Sequence, residues 1–225
     1  MEVMKRYCGR PATGRTWLTR TMWSLLALLV LPWVTAAEDK SPLQKEMEGM
    51  SARDRLVHLK QIVDEGKGTK ETYFHLGNAY YETGDASGAV VAYSQAIELD
   101  PKYFKAMVNL ALMYDEQEKY TLAIETLERA AEIDPKSPDV WSHMGNSYYA
   151  QQQHAKAMDL YRKALQIDPN ASHALYSIGV AFADAGIFRE AVHYWERVSK
   201  LEPDSELGKS AAENVQLLQR YLVPR

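Results

Sequence analysis

The sequence predicts an all-α chain of paired helices that repeat every 34 residues. Three observations predict it. Asp-Pro recurs as Asp100-Pro101, Asp134-Pro135 and Asp168-Pro169, and Glu202-Pro203 follows in phase, so the prolines lie 34 residues apart. Between them, apolar and small residues fall at three- and four-residue steps, the spacing of one helical face. Strand-like runs are few, and glycine is sparse at 12 residues of 225. A period of this length means units that each bury an apolar face against the next.

With each proline set as position 32, units start at Lys70, Phe104, Pro138 and Ser172. Position 4 is large and apolar (Tyr73, Met107, Trp141, Leu175), as is position 7 (Leu76, Leu110, Met144, Ile178). Position 8 is small (Gly77, Ala111, Gly145, Gly179) and position 11 aromatic (Tyr80, Tyr114, Tyr148, Phe182). These columns share one face of a first helix. Position 20 is always alanine (Ala89, Ala123, Ala157, Ala191), position 24 bulky (Tyr93, Leu127, Tyr161, Trp195) and position 27 small or nearly so (Ala96, Ala130, Ala164, Val198). They share a face of a second helix. Small columns let helix axes approach and bulky ones fill the gaps. Gly84 and Gly186 fall at the turn between helices, where a residue with positive φ commonly ends a helix. Each proline ends a second helix by biasing its predecessor out of α geometry.

This pattern resembles tetratricopeptide repeats, which have the same length. Four copies in register, at 70–103, 104–137, 138–171 and 172–205, carry the resemblance. It implies a right-handed α-solenoid of helix-turn-helix units with terminal capping helices. A generic helical bundle would not hold its alanine and proline columns in constant phase.

Taken in order, residues 1–36 read as a secretory signal peptide. Lys5, Arg6, Arg10, Arg15 and Arg20 are followed by the uncharged stretch 21–37, which centres on residues 25–31 and closes on small residues, with a cut expected after Ala36 or else Ala37. An uncleaved membrane anchor is the alternative, since the uncharged stretch reaches the lower limit for a span. An organelle leader is a third. Residues 37–50 are polar and read as a linker or short helix. Residues 51–69 read as an N-terminal capping helix or degenerate repeat. Ser51 and Asp54 resemble a capping box, Leu56, Leu59, Ile62 and Val63 form an apolar stripe, and Gly66-Lys67-Gly68 closes the helix. Residues 206–225 read as a C-terminal capping helix with Leu207, Ala211, Val215, Leu218 and Leu222 on one side. The closing residues 222–225 resemble a protease-tag remnant and are given no function.

Composition narrows the function classes. Residues 37–225 hold 21 bases and 29 acids, a net of −8, which argues against nucleic acid and anionic membrane. A membrane contact is expected only through an uncleaved leader. The single cysteine, Cys8, lies in the leader, so the body has no disulfide, thiolate metal site or cysteine nucleophile. No phosphate-binding glycine loop, zinc-type histidine spacing or G-x-S-x-G elbow occurs. No catalytic residue, metal or cofactor is therefore expected. Asp115-Glu116 reads as a solvated helix end, and Asn170-Ala171-Ser172 as a sequon in a loop.

The resemblance implies a ligand groove along the first helices, at positions 2, 5, 6, 9, 12 and 13 of each unit. Mapped here, the candidates are Phe74, Asn78, Tyr81, Lys105, Asn109, Asp139, His143, Asn146, Tyr149 and Tyr176. Asparagine amides can donate and accept at once, which suits an extended peptide backbone. Aromatic residues add contact area at low entropy cost. The competing reading is that these residues solvate an exposed helix face. The family's terminal-carboxylate clamp is not expected: Asn78 and Asn109 match it, but Phe74, Asp139 and His143 stand where it needs cations. The expected function is a non-enzymatic scaffold or adaptor that holds a partner protein or peptide. Its expected place is outside the cytoplasm, first a bacterial periplasm, with secreted or membrane-anchored forms as alternatives. A self-assembling scaffold that forms homo-oligomers is the second reading.

Overall fold

The computed structural model describes residues 40–222. The leader expected over 1–36 and the last three residues lie outside them. Among the described residues every regular element is an α-helix, eleven in all, arranged as sequential antiparallel pairs. The chain divides into two compact units, met at 167/168.

The first unit holds α1 (Pro42–Glu46), α2 (Ala52–Asp64), α3 (Lys70–Glu82), α4 (Ala86–Leu99), α5 (Phe104–Glu116), α6 (Tyr120–Ile133), α7 (Pro138–Ala150) and α8 (His154–Ile167). The pairs α3/α4, α5/α6 and α7/α8 are the first three repeats, and each helix packs chiefly on its neighbours in sequence. The expected second-helix columns form the core, whereas Tyr73 and Trp141 of position 4 and Tyr80 and Tyr114 of position 11 stay part-exposed. Ala89, Ala123, Ala157, Ala96, Ala130 and Ala164 are all 0% exposed. The small eighth position has a direct cause: a Cβ on Gly77 would stand 2.5 Å from the Tyr93 ring, and one on Gly145 would overlap the Tyr161 ring. In the second repeat the bulky residue is Leu127, and there Ala111 fits.

The corners between repeats explain the Asp-Pro pairs. Asp100 and Asp134 leave α geometry at φ −139° and −132°. Their carboxylates then accept the backbone N–H two residues on, Lys102 and Lys136, each at 3.0 Å. Proline stops the helix and aspartate closes the turn. Within each pair the turn is a Schellman motif, with Asp85 N–H donating to the Tyr80 carbonyl at 2.8 Å, Lys119 to Tyr114 at 2.8 Å and Gln153 to Tyr148 at 2.9 Å. The residue it holds at positive φ is Gly84 in the first repeat but Glu118 (59°) and Gln152 (64°) in the next two.

At the N-terminal edge, α2 packs on α3. Leu59 is fully buried in a cluster with Met47, Leu76, Ala79 and Ala92, with Leu56, Val63 and Tyr73 packed around it. Arg55 pairs with Glu82 across the two helices. Ser51 caps α2 by accepting Asp54 N–H at 3.2 Å, and its hydroxyl donates to the Asp54 carboxylate at 2.7 Å. The stretch expected as a linker or short helix carries the helix α1, closed by a capping box between Ser41 and Gln44.

The second unit holds α9 (Ser172–Asp184), α10 (Phe188–Leu201) and α11 (Glu206–Leu222). The first two are the fourth repeat. A Cβ on Gly179 would meet Trp195 Nε1 at 2.5 Å, and Gly186 takes φ +75° at the turn. Asp168 accepts Asn170 N–H at 2.8 Å and leads into α9. The terminal helix α11 packs on α10, burying Leu207, Ala211 and Val215 from its expected apolar side.

Candidate functional site

The first unit gathers most of the expected ligand-facing residues onto consecutive first helices. Phe74, Asn78 and Tyr81 lie on α3, Lys105 and Asn109 on α5, and Asp139, His143, Asn146 and Tyr149 on α7. Tyr176 lies on α9, in the other unit. Helical spacing puts each set on one side of its helix because steps of three and four residues return to the same face.

Aromatic packing dominates the α3 end. The Phe74 ring lies 5.4 Å from Tyr103, 5.3 Å from His75 and 6.0 Å from Tyr93, centroid to centroid. Burial holds His75 below its ordinary pKa; Glu71 opposes this, and Lys105 and Arg55 reinforce it. The ring is therefore neutral at pH 7. Tyr103 is pushed up to about 12 by burial, with Glu71 and Asp100 adding to it. The Tyr81 hydroxyl is buried without a hydrogen-bond partner. Burial first and Glu116 second drive its pKa well up, so it stays a neutral donor.

The asparagines are engaged within the chain. Asn78 Oδ1 accepts from the Tyr93 hydroxyl at 2.7 Å and from Asn109 Nδ2 at 3.2 Å. Asn146 Oδ1 accepts from the Tyr161 hydroxyl at 2.8 Å. Two amide carbonyls are thus committed to second-helix tyrosines, which narrows what they can offer a ligand. The sequence held a signal for this. Where position 24 is tyrosine, positions 8 and 9 are Gly-Asn; where it is leucine they are Ala-Leu, and where it is tryptophan, Gly-Val. Trp195 donates instead to the Tyr176 backbone carbonyl at 3.1 Å.

Three of the α7 candidates, His143, Asn146 and Tyr149, are buried, while Lys105 on α5 and Asp139 on α7 are half-exposed. Tyr149 packs edge-on against His154 at 4.6 Å. On α9, Tyr176 is buried and its hydroxyl accepts from Asn214 of α11 at 3.1 Å, so the terminal helix reaches this candidate directly.

One expectation is corrected. Asp115 does not sit at a solvated helix end: it is 4% exposed, and only Glu116 of the pair faces water. The Ser147 hydroxyl lies 2.8 and 2.9 Å from its two carboxylate oxygens. Burial raises its pKa to about 7 against the lowering effect of that hydroxyl. The helical position put Asp115 on the ligand-facing side, but its short side chain turns toward α7 instead of water.

Among the described residues no group of three or more histidine, cysteine, aspartate or glutamate side chains could hold a metal. Among the same residues no helix is long and apolar enough to cross a membrane. What the face carries is aromatic area, amides and scattered charge.

Comparison with known proteins agrees with the geometry. Two profiles described as tetratricopeptide repeat match residues 74–138 and 138–171. Residues 74–171 are tetratricopeptide repeats. No protein of curated function is a significant match to the chain. Among solved structures, a crystal structure of MamA is similar with TM-score 0.61 at 24% identity, over 73% of this chain and 96% of that one. A MamA from Desulfovibrio magneticus gives TM-score 0.61 at 22% identity, over 73% and 93%. Another MamA crystal structure gives 0.58 at 23%, over 82% and 92%. These likenesses concern the fold. The tetratricopeptide array here is a repeat scaffold, and the family implies protein partners.

Proposed function

We propose that the tetratricopeptide array binds a partner protein or an extended peptide along its first helices. The observation that carries this reading is the placement of Phe74, Tyr81, Lys105, Asn109 and Asp139 on one side of three consecutive first helices. A preformed face lowers the ordering cost that an extended ligand must meet. The adaptor works outside the cytoplasm, most simply in a bacterial periplasm on an assembly task; the support for this is the signal-like sequence of residues 1–36.

Site-specific photocrosslinking tests the reading. A photoreactive residue at Lys105 should trap a partner in the native host, whereas one at Glu128, exposed on α6, should not. Partner capture from position 128 alone would overturn it.

One observation favours self-assembly as a second reading. Leu99, Ile133 and Ile167, at position 30 of the first three repeats, are 54%, 36% and 36% exposed. Such a row of aliphatic side chains on the second helices suits contact between copies. Light scattering across concentrations separates the readings: a monomer at micromolar concentration removes this second one.

A further inference from the structure

Asp115 and Ser147 come from the first helices of adjacent repeats and meet out of water. The Ser147 hydroxyl reaches both carboxylate oxygens and also lies 3.2 Å from the His143 backbone carbonyl. We infer that this contact is a pH-sensitive joint between α5 and α7: a neutral carboxyl leaves it stable, and an ionised one burdens it with a buried charge that a single hydroxyl only partly offsets.

The argument runs through the protons available. A neutral Asp115 carries one O–H. It donates to Ser147 Oγ, and the serine hydroxyl then turns to the His143 carbonyl, giving two hydrogen bonds in series with no buried charge. Ionised Asp115 has nothing to donate. The serine proton must turn to the carboxylate, the His143 carbonyl loses it, and a buried anion is left with one neutral donor. A buried charge without a counter-ion is expensive, and a half-satisfied polar network is worse than a complete one.

Among the described residues no counter-ion rescues the anion. The charged and titratable groups of the helices beside α5 are Lys70, Glu71, Tyr73, His75, Tyr80, Tyr81 and Glu82 on α3, Tyr93 and Glu98 on α4, Tyr120, Glu125, Glu128, Arg129 and Glu132 on α6, and Asp139, His143, Tyr148 and Tyr149 on α7. None of them bears on Asp115, nor do Lys105, Tyr114 and Glu116 of its own helix. Burial and the Ser147 hydroxyl alone set its titration, near 7.

The sign follows. In the unfolded chain the carboxyl ionises near its ordinary value, about 3.9. Between there and about 7 the folded state holds a proton that the unfolded state has lost, so stability falls as pH rises. Above about 7 both states are ionised and the loss is complete.

Thermal unfolding of the full chain from pH 5 to 8.5, wild type beside Asp115→Asn, tests the joint. The asparagine amide can donate to Ser147 as the neutral acid does. The variant should already lead wild type by about tenfold in unfolding constant at pH 5, gain about tenfold more per pH unit up to 7, and keep a constant advantage above. A gap that does not change with pH overturns the inference. Should the variant fail to fold, the wild-type Asp115 side-chain carbon shift is titrated by NMR: a midpoint near 7 supports the joint, and one below about 5 overturns it. Ser147→Ala adds a readout that a merely structural serine would not move. Losing that hydroxyl should push the midpoint higher, and an unchanged midpoint overturns the assigned role.

Discussion

The Tyr93 hydroxyl donates to the Asn78 amide oxygen at 2.7 Å, and two repeats later Tyr161 donates to Asn146 at 2.8 Å. The same bond, at the same two repeat positions, joins the first helix to the second. Asn78 also receives Asn109, whereas Asn146 is the more buried amide. Tyr161→Phe removes the bond at the more buried amide and should therefore cost about 1–2 kcal/mol, and Tyr93→Phe less. Urea denaturation of the two variants checks the order.

The glycine beneath each tyrosine ring is sterically required. Gly77→Ala puts a methyl group 2.5 Å from Tyr93 and should destabilise by about 1–3 kcal/mol. Adding Asn78→Leu and Tyr93→Leu installs the second repeat's combination of Ala111, Leu112 and Leu127. The triple variant should recover most of that loss in the same urea titration, since volume moves from ring to methyl groups.

The turns at Glu118 and Gln152 hold non-glycine residues at positive φ. Left-handed backbone costs a residue with a Cβ about 1 kcal/mol or more relative to glycine. Glu118→Gly and Gln152→Gly should each stabilise the chain by about 0.5–1 kcal/mol after the entropy of the freer unfolded chain is set against it. Gly84→Ala should lose a similar amount. Calorimetric melting points should rank the three accordingly.

The last helix depends on Gly208. A Cβ there would overlap the Glu202 backbone carbonyl, so Gly208→Ala must displace the start of α11. Limited proteolysis should then cut within residues 206–222 at least several-fold faster, while the first unit stays resistant.

Much of this was legible in the sequence because repetition multiplies weak signals. A single alanine says little; Ala89, Ala123, Ala157 and Ala191 in one column each proved fully buried. Leu59 was readable as part of an apolar stripe for the same reason, since the grid supplied its place, and it is fully buried. The inward turn of polar residues was not readable from position alone. A column fixes where a side chain leaves its helix, but Asp115 could reach either water or Ser147 from there, and burial decided. For Asn78 and Asn146 the clue lay in the covariation of three columns, which links a glycine, an asparagine and a tyrosine that no single helix brings together.

The Asp-Pro corners carry a consequence for how such proteins lengthen. Asp100, Asp134 and Asp168 each shape their own bend through a backbone partner two residues away, and Lys70 of the same repeat adds an ion pair to Asp100. A segment cut at successive corners therefore carries its own hinge, and duplicating it in a gene would add a rung without redesigning those beside it. At Glu202 the bend is made differently, by Ser205 bonding both to Glu202 and to the first turn of α11. There the interchangeable cassette gives way to a junction specific to its one helix.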